Sequence, residues 1–219
     1  IQHPYAGAEI RGIAYVETPM GTPMDRSNEL SATVHVVDDD DSIRDSMRFL
    51  LESEGLTVRS YPSAQALLDT DLPPHGCVLT DFRMPGMDGL QLQSRLTERG
   101  IGLPVIVMTG FAEVPAAVRA MKAGAMDFLE KPCDPAVLVD AVRRSLDHSH
   151  RSLIAAAAMV EANRRIADLT PREREVMDLL VAGNSTKAIA RALGASPRTI
   201  DVHRARVFQK LQVDSLPDI

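Results

Sequence analysis

Cysteine is scarce in this 219-residue chain: Cys77 and Cys133 are the two present, and no Cys-x-x-Cys spacing occurs. That excludes a zinc site or disulfide framework of the usual kind and makes a reducing cytoplasm the expected compartment. Also missing is any run of about 18 apolar residues, the length a membrane-spanning helix needs. The first 30 residues lack a charged start followed by an apolar core, so no secretion signal is visible. The chain opens on Ile1 rather than Met, consistent with a fragment or with read-through ahead of Met20 or Met24.

Charge of one sign is short in each half, in opposite senses. Residues 31–150 hold 18 acids against 11 bases (net −7), and residues 151–219 hold 8 acids against 11 bases (net +3). Between 185 and 210 six bases, Lys187, Arg191, Arg198, Arg204, Arg206 and Lys210, face one acid, Asp201. With 45% apolar and 25% charged residues the chain is ordinarily globular, and two modest domains fit its length. An acidic front half joined to a basic tail suggests a sensor or enzyme fused to a nucleic-acid binder.

Residues 1–31 mix Gly, Pro and polar residues without period and read as a flexible tail. A repeated strand–helix alternation follows. Strands are expected at 33–37, 56–61, 77–80, 103–108 and 127–129, with helices at 42–54, 64–68, 89–98, 114–123 and 135–146 between and after them. Such alternation means a parallel sheet covered by helices on both faces. Residues 149–168, with their Ala155–Ala158 run, read as a partly helical linker.

The stretch Gly76 to Gly89 organises this front half. An apolar run, Cys77 to Thr80, ends on Asp81, and Pro85, Gly86 and Gly89 then break regular structure. In an open parallel sheet ligands bind beyond the carboxyl ends of the strands. That edge collects Asp38 and Asp39 from the first strand, Asp81 from the third, the Thr109 hydroxyl from the fourth and the Lys131 ammonium from the fifth. Three carboxylates in one cleft repel each other, and a hard divalent ion, Mg2+, relieves that. Asp81 can then act as a nucleophile toward a phosphoryl group while the ion and Lys131 neutralise its oxygens.

These residues resemble a known family, the receiver domains of bacterial two-component response regulators of the FixJ type. The matching motifs are Val36-Val37-Asp38-Asp39-Asp40, Thr80 through Gly89, Val107-Met108-Thr109-Gly110, Ala120 through Ala125, and Asp127-Phe128-Leu129-Glu130-Lys131-Pro132. They cover about 120 residues in order. The resemblance implies that Asp81 is the phosphoacceptor and that Asp38, Asp39, Asp81 and the main-chain carbonyl of Arg83 hold Mg2+. It further implies that Lys131 pairs with the phosphoryl oxygens, that Thr109 hydrogen-bonds them, that Phe128 is a switch aromatic, and that the Lys131–Pro132 peptide is cis. Cys133 departs from the family, which often carries Phe there; a small residue replaces a large packing one.

The tail reads separately. Thr170-Pro171-Arg172-Glu173 is a capping box with proline in the first turn. Gly183 ends that helix, a second runs Lys187 to Leu193, and Ser196-Pro197 starts a third reaching Leu211. Two short helices joined through Gly194-Ala195-Ser196 form a helix-turn-helix, whose second member enters the major groove. The pattern resembles the LuxR-type DNA-binding domain, quoting Leu169 through Glu173, Lys187-Ala188-Ile189-Ala190 and Ser196 through Arg204 with Lys210-Leu211. By that resemblance Asp201, Val202, His203 and Ala205 face base edges, while Lys187, Arg198, Thr199, Arg204, Arg206 and Lys210 serve phosphates. Asp201 can accept from cytosine but equally repels a backbone, so its role stays open. The family carries a further helix after Lys-Leu, so the domain is expected to be truncated at Ile219.

The expected architecture is thus α/β: a flavodoxin-like, doubly wound, five-stranded parallel sheet (the receiver, 32–148), a linker (149–168) and a small all-α helix-turn-helix domain (169–219). The expected function is a cytoplasmic transcriptional regulator, phosphorylated on Asp81 by a sensor histidine kinase and binding promoter DNA as a homodimer, with RNA polymerase as a further partner. It is not an enzyme beyond its own phosphoryl transfer and slow autodephosphorylation. Two rival readings are an aspartate-nucleophile phosphatase and a DNA-binding protein with a passive dimerisation module. The first wants Asp-x-Asp at the nucleophile, whereas Arg83 stands two residues after Asp81. The second leaves a complete pocket unexplained.

Overall fold

A computed structural model describes residues 32–110 and 114–219, the side chains of 114–117 and 218 excepted. The expected tail, residues 1–31, lies outside the described residues. Five strands, β1 (Thr33–Val37), β2 (Thr57–Tyr61), β3 (Gly76–Asp81), β4 (Val105–Thr109) and β5 (Asp127–Glu130), pair in the order β2-β1-β3-β4-β5. Every pairing is parallel. The chain steps outward in one direction from β1 and then reverses, so the carboxyl ends of β1 and β3 flank a topological switch point.

Helices α1 (Asp41–Ser53), α2 (Ala64–Leu68), α3 (Gly89–Glu98), α4 (Val114–Lys122) and α5 (Pro135–Ala167) follow the strands. Successive strand side chains point to opposite faces, and β1 sorts accordingly. Val34 and Val36 pack with Met47, Leu51, Leu138 and Val142, whereas Val37 packs with Leu67, Leu92 and Leu96. Both faces are apolar and covered, as a doubly wound sheet requires. The fourth strand begins at Val105 rather than Leu103, because Pro104 has no N–H to give to a ladder.

The largest departure from expectation is α5. A break after Leu146 and a partly helical linker were expected; the structure has one helix of 33 residues from Pro135 to Ala167. Asp134 caps it by accepting from Ala136 N, and no Gly or Pro interrupts residues 136–167. Leu138, Val139, Ala141, Val142 and Leu146 bury its first half on the sheet. Its last buried residue, Ser149, accepts a hydrogen bond from Gly76 N at 3.2 Å. Beyond it the helix is carried by its Ala155–Ala158 run and by the Glu161–Arg165 pair at 3.0 Å, four residues apart.

Three helices complete the chain, α6 (Pro171–Val181), α7 (Thr186–Ala192) and α8 (Pro197–Leu211), with a 3-10 turn at Leu216–Asp218. Thr170, Ser185 and Ser196 cap their N-termini. Val176, Leu180, Ile189, Ala190 and Ile200 form their shared core, and Leu169, Val207 and Leu211 a smaller one. The four residues between α7 and α8 make the expected helix-turn-helix.

Candidate functional site

The pocket forms where β1, β3, β4 and β5 end. Asp38 follows β1 and is buried; Asp81 closes β3 and is half-buried; Thr109 closes β4 and is buried. Lys131 follows β5, and its backbone N–H donates to Thr109 O at 2.7 Å, which carries its side chain back over the sheet edge. The Lys131 ammonium donates to Asp38 Oδ2 and to Asp81 Oδ1, both at 2.5 Å. Burial by itself would lower the Lys131 pKa, but the two hydrogen bonds and the two negative charges outweigh it and the net direction is upward. The lysine is therefore a fixed positive charge between two acids.

Each acid is oriented by a second bond. Asp38 Oδ1 accepts from Asp40 N at 2.9 Å, and Asp81 Oδ2 accepts from Arg83 N at 2.6 Å. Arg44 donates to the Asp38 carbonyl at 2.7 Å. The loop after β3 folds back so tightly that a Cβ at Gly89 would stand 2.5 Å from Asp81 O, so only glycine fits there. The Lys131–Pro132 peptide is cis.

The four consecutive aspartates divide into four roles that sequence could not separate. Asp38 enters the pocket, and Asp39 is exposed beside it. Asp40 caps α1, accepting from Ser42 N at 2.8 Å and Ile43 N at 3.2 Å, while Asp41 pairs with Arg44. Thus Asp38 and Asp81 are brought together through Lys131, whereas Asp39 is not drawn in with them. Among the described residues no group of three His, Cys, Asp or Glu side chains is arranged to hold a metal ion. The donor chemistry nevertheless suits Mg2+: the two aspartates already converge on one cation, the Lys131 ammonium, and all candidate ligands are hard oxygens.

Phe128 is half-buried and meets Phe82 edge-on, ring centroids 6.4 Å apart. Cys133 is half-buried against the α1–α5 side of the sheet, and its small side chain borders a cavity of about 590 Å³ with Met47, Leu50 and Leu138. Cys77 lies in the core, where burial pushes its thiol up to about 12, so it is inert.

On α8, Arg198, Thr199, Asp201, Val202, Arg204, Ala205 and Arg206 are exposed and His203 is half-buried; Lys187 is exposed on α7. Residues 198, 201, 202 and 205 share one helical face. Arg204 lies over the Phe208 ring at 5.2 Å, which stiffens its side chain. Two of the expected phosphate contacts also have partners within the fold. Thr199 Oγ1 bonds Ser196 Oγ at 2.8 Å in the cap of α8, and Lys210 donates to Glu173 Oε2 at 2.6 Å and to Asp168 O at 3.1 Å. Glu173 was legible as a capping-box residue, but its pairing with Lys210, 37 residues away, has no signal in the sequence.

Known proteins match both halves. Residues 34–143 match the response regulator receiver domain, and residues 167–219 match the bacterial regulatory proteins of the luxR family. The transcriptional regulatory protein FixJ of Azorhizobium caulinodans is 51% identical over 190 residues, covering 86% of this chain and 90% of that protein. FixJ of Rhizobium meliloti is 44% identical, covering 85% and 92%. Among solved structures, the response regulator StyR is 39% identical with a TM-score of 0.75, covering 86% of this chain and 96% of that one. Full-length FixJ from B. japonicum is 44% identical with a TM-score of 0.54, covering 85% and 92%. The chain belongs to the FixJ-type response regulators of two-component systems, transcriptional regulators that join a receiver domain to a luxR-family DNA-binding domain.

Proposed function

We propose that Asp81 accepts a phosphoryl group from a sensor histidine kinase and that this converts the chain into a dimeric reader of promoter DNA. The observation that carries the reading is the Lys131 ammonium, 2.5 Å from both Asp38 and Asp81 at the switch point of the sheet. An Asp81 oxygen attacks phosphorus as the phosphohistidine N–P bond breaks, and the released imidazole takes up a proton. Lys131 turns from the carboxylates to the incoming phosphoryl oxygens, and the Thr109 hydroxyl donates to another. Asp38, Asp39, Asp81 and the Arg83 carbonyl would hold Mg2+, which would supply further neutralisation of phosphoryl charge when bound. Slow loss of the phosphoryl group is the only other reaction.

Thr109 and Phe128 transmit the change. The Thr109 carbonyl already binds Lys131 N, so a shift of that strand end reaches β5 directly. Phe128, packed against Phe82, then repacks, and the face carrying exposed Val118 and Met121 of α4 becomes a pairing surface. Pairing two half-site readers raises their effective concentration on a palindromic site. Asp201, Val202, His203 and Ala205 then meet base edges, while Lys187, Arg198, Thr199, Arg204, Arg206 and Lys210 meet phosphates. The setting is the cytoplasm, and RNA polymerase is the partner such a regulator meets at a promoter.

The test adds beryllofluoride, a phosphoryl mimic, with Mg2+ to the unaltered chain and to Asp81→Asn, reading mass by light scattering and DNA preference by selection from a random duplex pool. The unaltered chain is expected to dimerise and to enrich a two-fold symmetric sequence, with neither effect in Asp81→Asn. Equal dimerisation and enrichment in the two proteins would overturn the proposal.

A further inference from the structure

We propose that Arg165 is a positioning residue for DNA reading: it locks the far end of α5 to the recognition helix α8, so that α5 acts as a rigid rod and fixes the half-site separation a dimer accepts. Two domains joined by an exposed linker ordinarily move against each other. Here the connection carries no Gly or Pro from Ala136 to Thr170 and is helical as far as Ala167, so bending is confined to residues 168–170, ahead of α6. Three cations from the flanking helices converge on that stretch. Arg165 donates through Nη1 to Leu211 O at 3.2 Å, at the end of α8, while its Nε donates to Glu161 Oε1 at 3.0 Å. Lys210 returns the tie from α8, donating to Asp168 O at the C-cap of α5 at 3.1 Å, and Arg174 of α6 donates to Ile166 O at 2.8 Å.

Carbonyls in the last turn of a helix lack intrahelical partners and carry the negative end of its dipole, so each cation answers both needs. Beside these bonds Ile166 and Leu169 pack with Val207 and Leu211. Arg165 is the member of the trio that reaches from the linker to α8, and its half-buried guanidinium is held on two sides. At the other end Leu138, Val142 and Leu146 fasten the same helix to the sheet. From Ser149 to Ala167 the rod spans about 27 Å at 1.5 Å per residue. The role in spacing rests on the proposed pairing of receivers: two such rods hold two α8 helices at one separation and rotation, and half-sites set otherwise cannot be engaged together. Without Arg165 the reader pivots about 168–170 and accepts further separations.

The experiment has two arms, each on the full chain and on Arg165→Ala. The first measures 15N relaxation without DNA or activation. Amides of β1 and β3 and amides of α8 should fit one rotational diffusion tensor in the unaltered chain, whereas α8 should tumble separately in Arg165→Ala. The second repeats the selection from a random duplex pool with beryllofluoride and Mg2+. The unaltered chain should enrich one half-site separation, and Arg165→Ala the same half-site sequence at several. Affinity of the variant for the original separation should fall about ten-fold, the worth of one charge-assisted hydrogen bond, with an unchanged salt dependence. Separate tumbling in the unaltered chain would overturn the proposal however the variant folds, and so would a single separation retained by Arg165→Ala. A salt dependence weaker by about one unit would make Arg165 a phosphate contact and overturn it too. Failure of the unaltered chain to enrich any two-fold symmetric sequence would remove the receiver pairing and with it the role in spacing; the relaxation arm tells that failure apart, since it decides the rigidity of α5 without pairing.

Discussion

Replacing Lys131 with methionine keeps the reach of the side chain and most of its apolar packing but removes the ammonium that Asp38 and Asp81 share. Their side chains are only 3% and 13% exposed, so water cannot take its place fully. Each oxygen lies 2.5 Å from Nζ, so the two carboxylates would face each other at up to about 5 Å; with an effective dielectric of about 20, Coulomb's law sets their repulsion at ~3 kcal/mol. Lys131→Met should therefore destabilise the receiver by about 3 kcal/mol at pH 7. In the unaltered chain the Lys131 pKa is raised, so its contribution is complete below the ordinary lysine value and is lost only as pH climbs through the folded one. Urea unfolding at pH 7 followed by far-ultraviolet circular dichroism, in chelator to strip divalent ions, measures the loss. A loss under about 1 kcal/mol would refute the assignment of Lys131 as the charge that makes this pocket tenable.

Other expectations follow from the same geometry. The Lys210 ammonium, with the Thr170 N–H, holds the Glu173 carboxyl at about 2 against the usual 4.5. That contribution is present above pH 4.5 and lost as pH falls through about 2, and Glu173→Gln should cost about 1–2 kcal/mol at pH 7 after allowance for the partly exposed lysine, read by denaturant unfolding. Arg204→Ala should weaken DNA binding equally for all sequences and reduce the salt dependence of the logarithm of affinity by about one unit, measured by fluorescence anisotropy across a salt series. Gly76→Ala would set a Cβ 2.3 Å from Thr33 O, backbone that cannot yield without breaking the β1–β3 ladder; a loss of about 3 kcal/mol or more in thermal unfolding is expected.

The sheet was legible because its strands are apolar runs that stop at Gly, Pro or Asp, and because helical periods separate them. The pocket was legible for the same reason: Asp38, Asp81, Thr109 and Lys131 each stand where an apolar run ends. What lay hidden was the division of labour inside a charge cluster. Asp38 through Asp41 look alike in sequence, yet the direction of the chain leaving β1 sends one into the pocket and makes another the α1 cap. The continuity of α5 was obscured for a different reason. Past Ser149 it buries almost nothing, so no amphipathic stripe announces it, and the absence of Gly and Pro, the run of alanines and the Glu161–Arg165 pair carry it to Ala167. Contacts distant in sequence, such as Glu173 with Lys210, Gly76 with Ser149 and Gln93 with Ala123, have no periodic signature at all.

The central claim is that Asp81 is the group that becomes phosphorylated, and intact-protein mass after incubation with Mg2+ and acetyl phosphate tests it most directly. The account predicts the gain of one phosphoryl group by the unaltered chain and none by Asp81→Asn. An equal gain in both proteins, or no gain in the unaltered one, would contradict it.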